Sequence, residues 1–565
     1  MSYIRENQIV NSALWAAYGD ALGFITELAS EKTLISRSGL EYITKLVSWK
    51  RKIGGMFGAT IILPAGSYSD DTQLRLATSR SIKSNGHFAI QTFAKIELPV
   101  WQNYALGAGR SSKYAANCLS KPSVAWFSNF YESDKTTYIN GGGNGAVMRI
   151  QPHIWCAQDL NASDEYLLDV IKNSITTHGH PRAIAGAVFH AQALAYILQS
   201  NRVPSVQHFN EFNLKTLDIP RLISLDSNLE TIWRPQFEEK ASQSLDSVYK
   251  ETYGEINDYI KQVDLWSNSS RMDYKSLAKI LNLHHEKTRG SGTLTAIAAS
   301  ASLLLMNIQS AHSIFKDVVN ELWTDTDSIA SMLGAMAGIL IEERPPETLQ
   351  DEAYLIEDAK RLYAISQNTC NSDFEYPSSM TWKSPVSLVD YITESEGDLV
   401  MIPFGKIDPF SEEYRTRNNK VLTSYYQWVT SCFGPSFLIK RRELSDIKAT
   451  PIKLLQNTTT KAPSNKQLEI GELSNQEKGD SSDIGASQEK NIDNRSAPSF
   501  LQKPDLTIKI DIDQLTSIAI KEGFNPKIIG EHIISIANSE LATNGVVAYS
   551  AIISKAIVVR KRIQR

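Results

Sequence analysis

The sequence predicts a mainly α protein: a compact all-α domain, then a small appended α+β region and a small helical C-terminal module. Ala/Leu/Ile-rich stretches recur with helical period through about the first 365 residues. Strand-like runs are concentrated between residues 373 and 445, and helical periodicity returns after residue 507. With 565 residues, the chain is long enough for more than one domain.

We assign residues 1–370 to the all-α domain, because its helical stretches are separated by short loops marked by Gly or Pro. The predicted helices are 12–22, 72–84, 90–98, 183–198, 293–305 and 329–341, and the clearest loops are 54–66 and 140–145. Gly334 and Gly338 in the last helix predict close helix–helix approach. Residues 200–285 are charged and less regular than their flanks, so we interpret them as an insertion that carries substrate- or partner-specific surface.

The remainder of the chain divides by composition. Residues 371–450 contain strand-like runs such as 398–405, 425–429 and 436–440, and we predict a small α+β region. Residues 451–505 are mostly polar, with no aromatic residue from 456 to 499, and we predict a disordered linker. For residues 506–565 we predict a small three-helix module, in which Gly523 ends one helix and Pro526 stands early in the next. We expect this module to recruit a protein partner or to self-associate.

Composition narrows the class of protein. The net charge of −4 gives no general basic field for nucleic acid. The four cysteines are widely spaced with no CxxC pair, which argues against zinc and against a disulfide framework. The first residues have no secretory pattern, and the near-apolar run 183–198 is too short and too polar to span a bilayer. We predict that this run forms a buried helix. We therefore expect a cytoplasmic protein with no membrane partner.

Two short acidic clusters carry most of the functional information. Residues 69–72 read Ser-Asp-Asp-Thr and residues 325–328 read Asp-Thr-Asp-Ser, and each cluster precedes a predicted helix. Oxygen-only ligand sets of this kind suit Mg²⁺, and two such sets that converge could hold a pair of ions. Helix capping by Ser and Asp is the competing interpretation of each cluster taken alone. A second adjacent carboxylate, however, adds repulsion that a cation would relieve.

Three further motifs lie around the clusters. Residues 19–27 place two glycines on a helix followed by Glu27, which fits either a ligand site or simple helix packing. The loop 140–145 is rich in glycine, and its amides suit a phosphate or diphosphate, although a flexible loop has the same composition. His178 and His180 precede a helix that starts with Pro181, and we favour hydrogen-bonding or packing roles for them over metal ligation.

In order and content these motifs resemble the ADP-ribosylglycohydrolase family, which includes the dinitrogenase reductase-activating glycohydrolases. The family pattern runs GDALG…E, G-x-[ST]-D-D-T, GNGxxMR, TH-x-HP and D-T-D-[ST]-I-A-x-x-x-G-A-x-A-G. The counterparts in this sequence are residues 19–27, 66–72, 143–149, 177–181 and 325–338. The resemblance covers about residues 7–345 and excludes the insertion and everything after about residue 365.

The resemblance implies an all-α fold with two Mg²⁺ ions in a cleft, and hydrolysis of the ribosyl bond of an ADP-ribosylated acceptor by a metal-positioned water. The implied metal ligands are Ser69, Asp70, Asp71, Asp325, Asp327 and Ser328, with Glu27 as a mobile ligand or gate. The catalytic carboxylate would be Asp70, Asp71 or Glu27, and the sequence does not choose among them. The implied ligand-binding residues are Asn140, Gly141, Gly142, Gly143, Asn144 and Gly145 for the diphosphate, with His178 beside the ligand.

One departure from the family pattern stands next to the second cluster. Trp323-Thr324 occupies the place where the family commonly has Gly-Gly. We interpret Trp323 as a ligand-binding residue that stacks on a base or narrows the cleft. It also keeps a second hypothesis open: a non-catalytic ADP-ribose- or nucleotide-binding regulatory protein. The acceptor could be a protein or a nucleic acid.

Overall fold

Helices dominate the computed structural model, which describes residues 2–379, 381–416, 423–447, 449, 511–539 and 542–563. The helices of the first half are α1 (Ser2–Phe24), α2 (Glu31–Ser38), α3 (Asp70–Arg80), α4 (Ile90–Thr92), α5 (Leu98–Trp101), α6 (Arg110–Leu119), α7 (Gln151–Trp155), α8 (Ser163–Ile175), α9 (Pro181–Ser200), α10 (Val206–Ser224), α11 (Arg234–Ala241) and α12 (Leu245–Ser267). Those of the second half are α13 (Tyr274–Ile280), α14 (Gly292–Leu303), α15 (Ala311–Val319), α16 (Thr326–Leu340), α17 (Glu352–Ser366), α18 (Ile512–Lys521), α19 (Pro526–Ala537) and α20 (Ala542–Ile563). The predicted mainly α fold is confirmed.

Helices α1 and α16 form the central pair of the domain, and glycines set their separation. A Cβ on Gly19 would lie 2.2 Å from the carbonyl oxygen of Ala330, and one on Gly334 would lie 2.1 Å from the carbonyl oxygen of Trp15. The two backbones therefore touch directly, which no larger residue permits at these positions. The packing interpretation of the glycines is confirmed, and the close contact brings the end of α1 to the start of α16.

Among the described residues, α9 is the one helix that is long and apolar enough to cross a membrane. Within its apolar stretch, 78% of the helix is buried inside the protein. Such burial is typical of a core helix, as the sequence predicted for residues 183–198. His190, near the middle of α9, is buried and hydrogen-bonds to Gln151 at 3.1 Å.

The interpretation of residues 200–285 as less regular than their flanks is wrong. This stretch forms the four helices α10 to α13. In α12 the buried residues fall three or four positions apart, apart from the adjacent pair Val248 and Tyr249, so one face of the helix packs inward under a charged surface. Glu255 of α12 accepts hydrogen bonds from Arg182 and Thr293 of two core helices, at 2.7 Å and 3.0 Å respectively.

The strands form two sheets. An antiparallel hairpin contains β1 (Trp49–Ile53) and β2 (Ala59–Leu63). The second sheet contains β3 (Ile392–Ser395), β4 (Asp398–Met401), β5 (Gly405–Pro409), β6 (Tyr414–Arg415), β7 (Tyr425–Ser431) and β8 (Ser436–Arg441). The second sheet is antiparallel in the order β3-β4-β5-β7-β6, with β8 also paired to β7, which confirms the predicted α+β region. The prediction of a loop over 54–66 is wrong, because β2 lies within it with alternate residues buried.

The three C-terminal helices have a small apolar core of their own, built from Ile512, Ala519, Ile536, Tyr549 and Ile553. Gly523 follows the end of α18 and adopts the left-handed conformation, and Pro526 is the first residue of α19. Both positions agree with the sequence prediction. Gln91 of the main domain donates to both carboxylate oxygens of Asp513, at 3.0 Å and 3.1 Å, so the helices rest on that domain. The predicted linker, 451–505, lies outside the described residues.

Candidate active site

The first acidic cluster stands at the start of α3, where other groups already satisfy the helix end. The Ser69 hydroxyl accepts a hydrogen bond from the amide of Asp71 at 3.1 Å. The carboxylate of Asp20, from α1, accepts from the amides of Ser69 and Thr72, both at 2.9 Å. Capping therefore needs neither Asp70 nor Asp71, and both carboxylates remain available for another role. Sequence reasoning missed Asp20 as a site residue, although it lies between the two glycines of the 19–23 motif.

The second cluster meets the first at the start of α16. The Ser328 hydroxyl donates to Oδ1 of Asp71 at 3.4 Å, so two segments more than 250 residues apart in sequence share one buried contact. The hydroxyl of Thr326 donates to the carbonyl oxygen of Gly23 at 2.8 Å, which ties the cluster to α1. The Asp325 side chain forms no cap bond to its own helix and instead accepts from Asn144 at 2.9 Å.

These carboxyl groups crowd one another in a buried space. Burial is the main reason that the pKa of Asp70 rises to about 8, and the charges of Glu27 and Asp20 add to it. Burial followed by neighbouring carboxylates also raises the pKa values of Asp71 and Asp327 well above their usual range. Oδ2 of Asp71 is buried and has no hydrogen-bond partner in the structure. The cleft therefore favours a proton or a cation as counter-charge.

Glu27 lies at the rim of this cleft, just beyond the end of α1. Its carboxylate accepts from both terminal nitrogens of Arg51, at 3.1 Å and 3.2 Å, and its side chain is 16% exposed. The Arg51 guanidinium lies 4.3 Å from the centroid of the Phe24 ring. Arg51 was not predicted as a site residue, and the missed hairpin 49–63 is the reason, because it is the hairpin that brings this arginine to the cleft.

The glycine-rich loop borders the second cluster. The amide of Asn144 donates to the carbonyl of Gly290 at 2.9 Å, while its side chain reaches Asp325. The amides of Gly141 and Gly142 also donate to backbone carbonyls, so a diphosphate could use at most the remaining amides. A Cβ on Gly145 would lie 3.0 Å from the Ser112 hydroxyl, so the loop packs tightly there. Binding of a diphosphate by residues 140–145 stays a prediction.

His178 lies beneath this loop as a buried, neutral side chain. Its Nδ1 shares a 2.7 Å hydrogen bond with the hydroxyl of Thr177, which accepts from Arg149 at 2.8 Å. Burial and the Arg149 charge lower the pKa of His178 to about 3. Its ring lies close enough to Gly145 to contact a Cβ there, at 3.2 Å. His180 accepts from the amide of Arg182 and so caps α9. Both histidines make the hydrogen-bonding and packing contacts that the sequence favoured.

Trp323 precedes the second cluster in a strained conformation. Its φ of +70° lies in the left-handed region, which glycine adopts freely and tryptophan does not. The residue is 52% exposed, and its carbonyl accepts from Arg289 at 3.3 Å. The φ value explains why a Gly-Gly pair suits this position. It also leaves a large aromatic ring on the surface two residues from Asp325.

A pre-formed metal group is not present among the described residues, since no three His, Cys, Asp or Glu side chains are arranged to hold an ion. Several predicted ligands are turned toward other partners: Glu27 toward Arg51, Asp325 toward Asn144, and Oδ1 of Asp327 toward the amide of Ser328. The donor set nevertheless fits Mg²⁺, because it is oxygen-only, largely buried and rich in carboxyl groups, and it includes the unpartnered Oδ2 of Asp71. Side-chain rotation would be required to complete the coordination.

The fold and the site together define an all-α domain with a cleft of carboxylates between two helix N-termini. A family model described as ADP-ribosylglycohydrolase matches residues 1–371, more than half of the chain, and the protein therefore belongs to that family. A solved structure titled "ADP-ribosylglycohydrolase-related protein complex" is similar over 64% of this chain and 99% of that chain, with 17% identity and a TM-score of 0.40. A comparison with curated proteins gives no match.

Proposed function

We propose that this protein is a Mg²⁺-dependent hydrolase that removes ADP-ribose from a modified acceptor by cleaving the ribosyl glycosidic bond. Membership of the ADP-ribosylglycohydrolase family supports hydrolysis of ADP-ribose linkages. The observation that carries the finer proposal is the meeting of the two acidic clusters at Asp71 and Ser328, at a helix start whose capping Ser69 and Asp20 already provide. A cleft that gathers buried carboxylates is costly to the fold unless protons or a cation neutralise them, and a cation can do so with all of them ionised.

In this proposal the metal ligands are Ser69, Asp70, Asp71, Asp325, Asp327 and Ser328, with Glu27 at the edge. Bound Mg²⁺ would supply positive charge that fixes the ribose hydroxyls and makes a nearby water more acidic. Asn144 orients the carboxylate of Asp325, and Asp20 holds the backbone from Ser69 to Thr72 in place. Cleavage develops positive charge at the anomeric carbon, which the surrounding carboxylates stabilise.

Glu27 is the best-placed proton acceptor among the three candidates. Asp70 and Asp71 are buried, whereas the side chain of Glu27 is in contact with solvent and can pass a proton onward. Arg51 holds the Glu27 carboxylate at the rim of the cleft, since its guanidinium lies within hydrogen-bond distance.

The test is a hydrolysis panel with arginine-, serine- and DNA-linked ADP-ribose, each with Mg²⁺ and with EDTA. We expect release of free ADP-ribose from one acceptor class with Mg²⁺ and none with EDTA. Release that continues unchanged in EDTA would contradict the metal dependence. Tight ADP-ribose binding by calorimetry, without product in long incubations, would instead support a non-catalytic regulatory protein. The observation that favours this second candidate is the exposed Trp323 beside the second acidic cluster.

Replacement of Trp323 by glycine should show whether the ring contributes to ligand binding, because it should change KM with little effect on the free energy of unfolding. Glycine relieves the left-handed strain, worth about 1 kcal/mol, but also gives the unfolded chain more freedom, so we expect little net change in the free energy of unfolding. If the ring stacks on the ligand, KM should rise about tenfold, because such stacking is worth about 1–3 kcal/mol. Trp323→Phe keeps an aromatic ring and should retain most of the affinity. A glycine variant with an unchanged KM would show that the ring does not touch the ligand.

A further inference from the structure

The appended sheet lies beyond the residues that the family model matches, yet it contacts the segments that carry the first acidic cluster. We propose that this sheet, β3 to β8 with the preceding segment 374–376, is a positioning scaffold for α3 and therefore for Ser69, Asp70 and Asp71. The proposal rests on the proposed function for the role of those residues. Three sets of contacts support the scaffold itself: one at the start of α3, one at its end, and one at the segments that flank the acidic cluster.

The first contact holds the loop that leads into α3. Asp351, just before α17, accepts from the Tyr68 hydroxyl at 2.8 Å, one residue before Ser69. The same carboxylate accepts from the amide of Ser436 at 2.8 Å and from its hydroxyl at 2.7 Å, and Ser436 opens β8. Asp351 adopts a φ of +59°, a left-handed conformation that aspartate holds only when its surroundings stabilise it. One carboxylate thus links the sheet to the start of the acidic cluster.

The second contact holds the other end of α3. Arg80, the last residue of the helix, is buried and paired with Glu97 at 2.8 Å. Three rings from the appended region surround its guanidinium, those of Phe374, Phe404 and Phe433, with centroids 6.0, 5.5 and 5.6 Å away. Tyr376 adds a hydrogen bond from its hydroxyl to Glu97. A buried ion pair is favourable only when its remaining groups are satisfied, and residues outside the family match supply these partners.

The third contact holds the two segments that flank the cluster. Asn103 of the main domain donates to the carbonyls of Leu388 and Lys440 and accepts from the amide of Lys440. Three residues further on, the carbonyl of Leu106 accepts from the amide of Asp70 at 2.8 Å. On the other flank, the Trp428 indole donates to the carbonyl of Ile62 at 3.1 Å, in the hairpin whose Arg51 binds Glu27.

The sheet makes these contacts through directional hydrogen bonds as well as through burial of apolar side chains. Buried hydrogen bonds of this kind tolerate little displacement, since an unpaired buried partner costs about 1–3 kcal/mol. A shift of the sheet would therefore move α3 and the hairpin together. Displacement of reacting groups by about 1 Å can lower turnover by about a hundredfold. The scaffold consequently affects turnover and metal affinity more than it affects global stability.

Two conservative variants of the 565-residue chain test this proposal. Ser436→Ala removes the hydroxyl bond to Asp351, and Trp428→Phe removes the indole bond to Ile62 while keeping an aromatic ring. We expect each to lower kcat about tenfold and to raise the Mg²⁺ concentration for half-maximal rate several-fold, while the lost hydrogen bond lowers Tm by no more than a few degrees. Asp390→Asn is the matched control, because it breaks an ion pair with Arg442 at the edge of the same sheet. It should lower Tm slightly and leave kcat unchanged.

Amide hydrogen exchange of residues 66–73 measures the same support without substrate or metal. In both variants these amides should exchange faster than in the wild type, and in the control they should not. Wild-type kcat, wild-type Mg²⁺ dependence and unchanged exchange in both variants would overturn the proposal. If instead the wild type releases no ADP-ribose from any acceptor, the proposed function fails, while the exchange measurement still decides whether the sheet supports α3.

Discussion

Asp71→Asn and Asp327→Asn are each expected to lower release of ADP-ribose by at least about a thousandfold, because each removes a carboxylate oxygen that we propose as a metal ligand. Asp71 also accepts the hydrogen bond that joins the two clusters, so its carboxylate is common to both halves of the site. The assay is turnover with saturating Mg²⁺. Asp258→Asn is the control, since Asp258 is an exposed carboxylate on α12 paired only with Lys261 among its described contacts.

The same two substitutions, which should lower activity, should raise the stability of the metal-free protein. The raised pKa values of Asp71 and Asp327 mean that the folded state holds these protons more tightly than the unfolded state. Stability of the metal-free protein should therefore fall as the pH rises above about 4, the usual pKa of an aspartate, through the raised folded values. For Asp70 this loss of stability is complete above about pH 8, because burial raises its pKa to about 8. An amide in place of Asp71 removes part of this loss, so the metal-free variant should be more stable than the wild type at pH 8.

Added Mg²⁺ should then raise the Tm of the wild type and have little effect on either variant, because a ligand that binds only the folded state stabilises it. Thermal unfolding at pH 8, with Mg²⁺ and with EDTA, measures both effects. Two results would count against the metal site: a Tm of the wild type that Mg²⁺ does not change, or variants that keep the full Mg²⁺ response.

Gly23→Ala should be strongly destabilising and should also reduce activity. A Cβ at this position would lie 2.6 Å from the Cα of Asp327 and 2.6 Å from the carbonyl oxygen of Thr326. Both are backbone atoms at the start of α16, so no side chain can rotate to make room. We expect a loss of at least about 3 kcal/mol in the free energy of unfolding, since buried overpacking commonly costs about 1–3 kcal/mol even where side chains can yield.

Gly254→Ala provides the matched control, because Gly254 is also helical but a Cβ there would meet nothing within 4 Å. Alanine should stabilise that position by up to about 1 kcal/mol through helix propensity. Denaturant unfolding of the two variants measures the difference. If Gly23→Ala unfolds like the wild type, α1 and α16 must be able to separate without penalty, and the close contact would not be what positions Asp327.

Local sequence patterns predicted several parts of the fold well. The apolar periodicity of residues 183–198 predicted α9, and Gly523 and Pro526 marked the turn between α18 and α19. The hairpin 49–63 was missed because its strands are five residues each, and in β2 an exposed Ile62 stands between the buried Ile61 and Leu63, which hides the alternation of apolar and polar residues. The helices of the insertion were underestimated because charged surface residues hide the spacing of the few buried ones, as in α12.

The sequence by itself determined which residues are candidates for the site, since the order of its motifs named both acidic clusters, Glu27 and the glycine-rich loop. Only the tertiary structure decided how those groups are held. Asp20 caps α3 from another helix, Arg51 reaches Glu27 from a hairpin, and Asp351 joins Tyr68 to Ser436 of the appended sheet. A sequence motif is recognisable when the chemistry of a site allows only a few residue types at each position. The positions of those side chains, in contrast, depend on contacts between segments far apart in sequence. Many different residues can make such contacts, so no local sequence pattern predicts them.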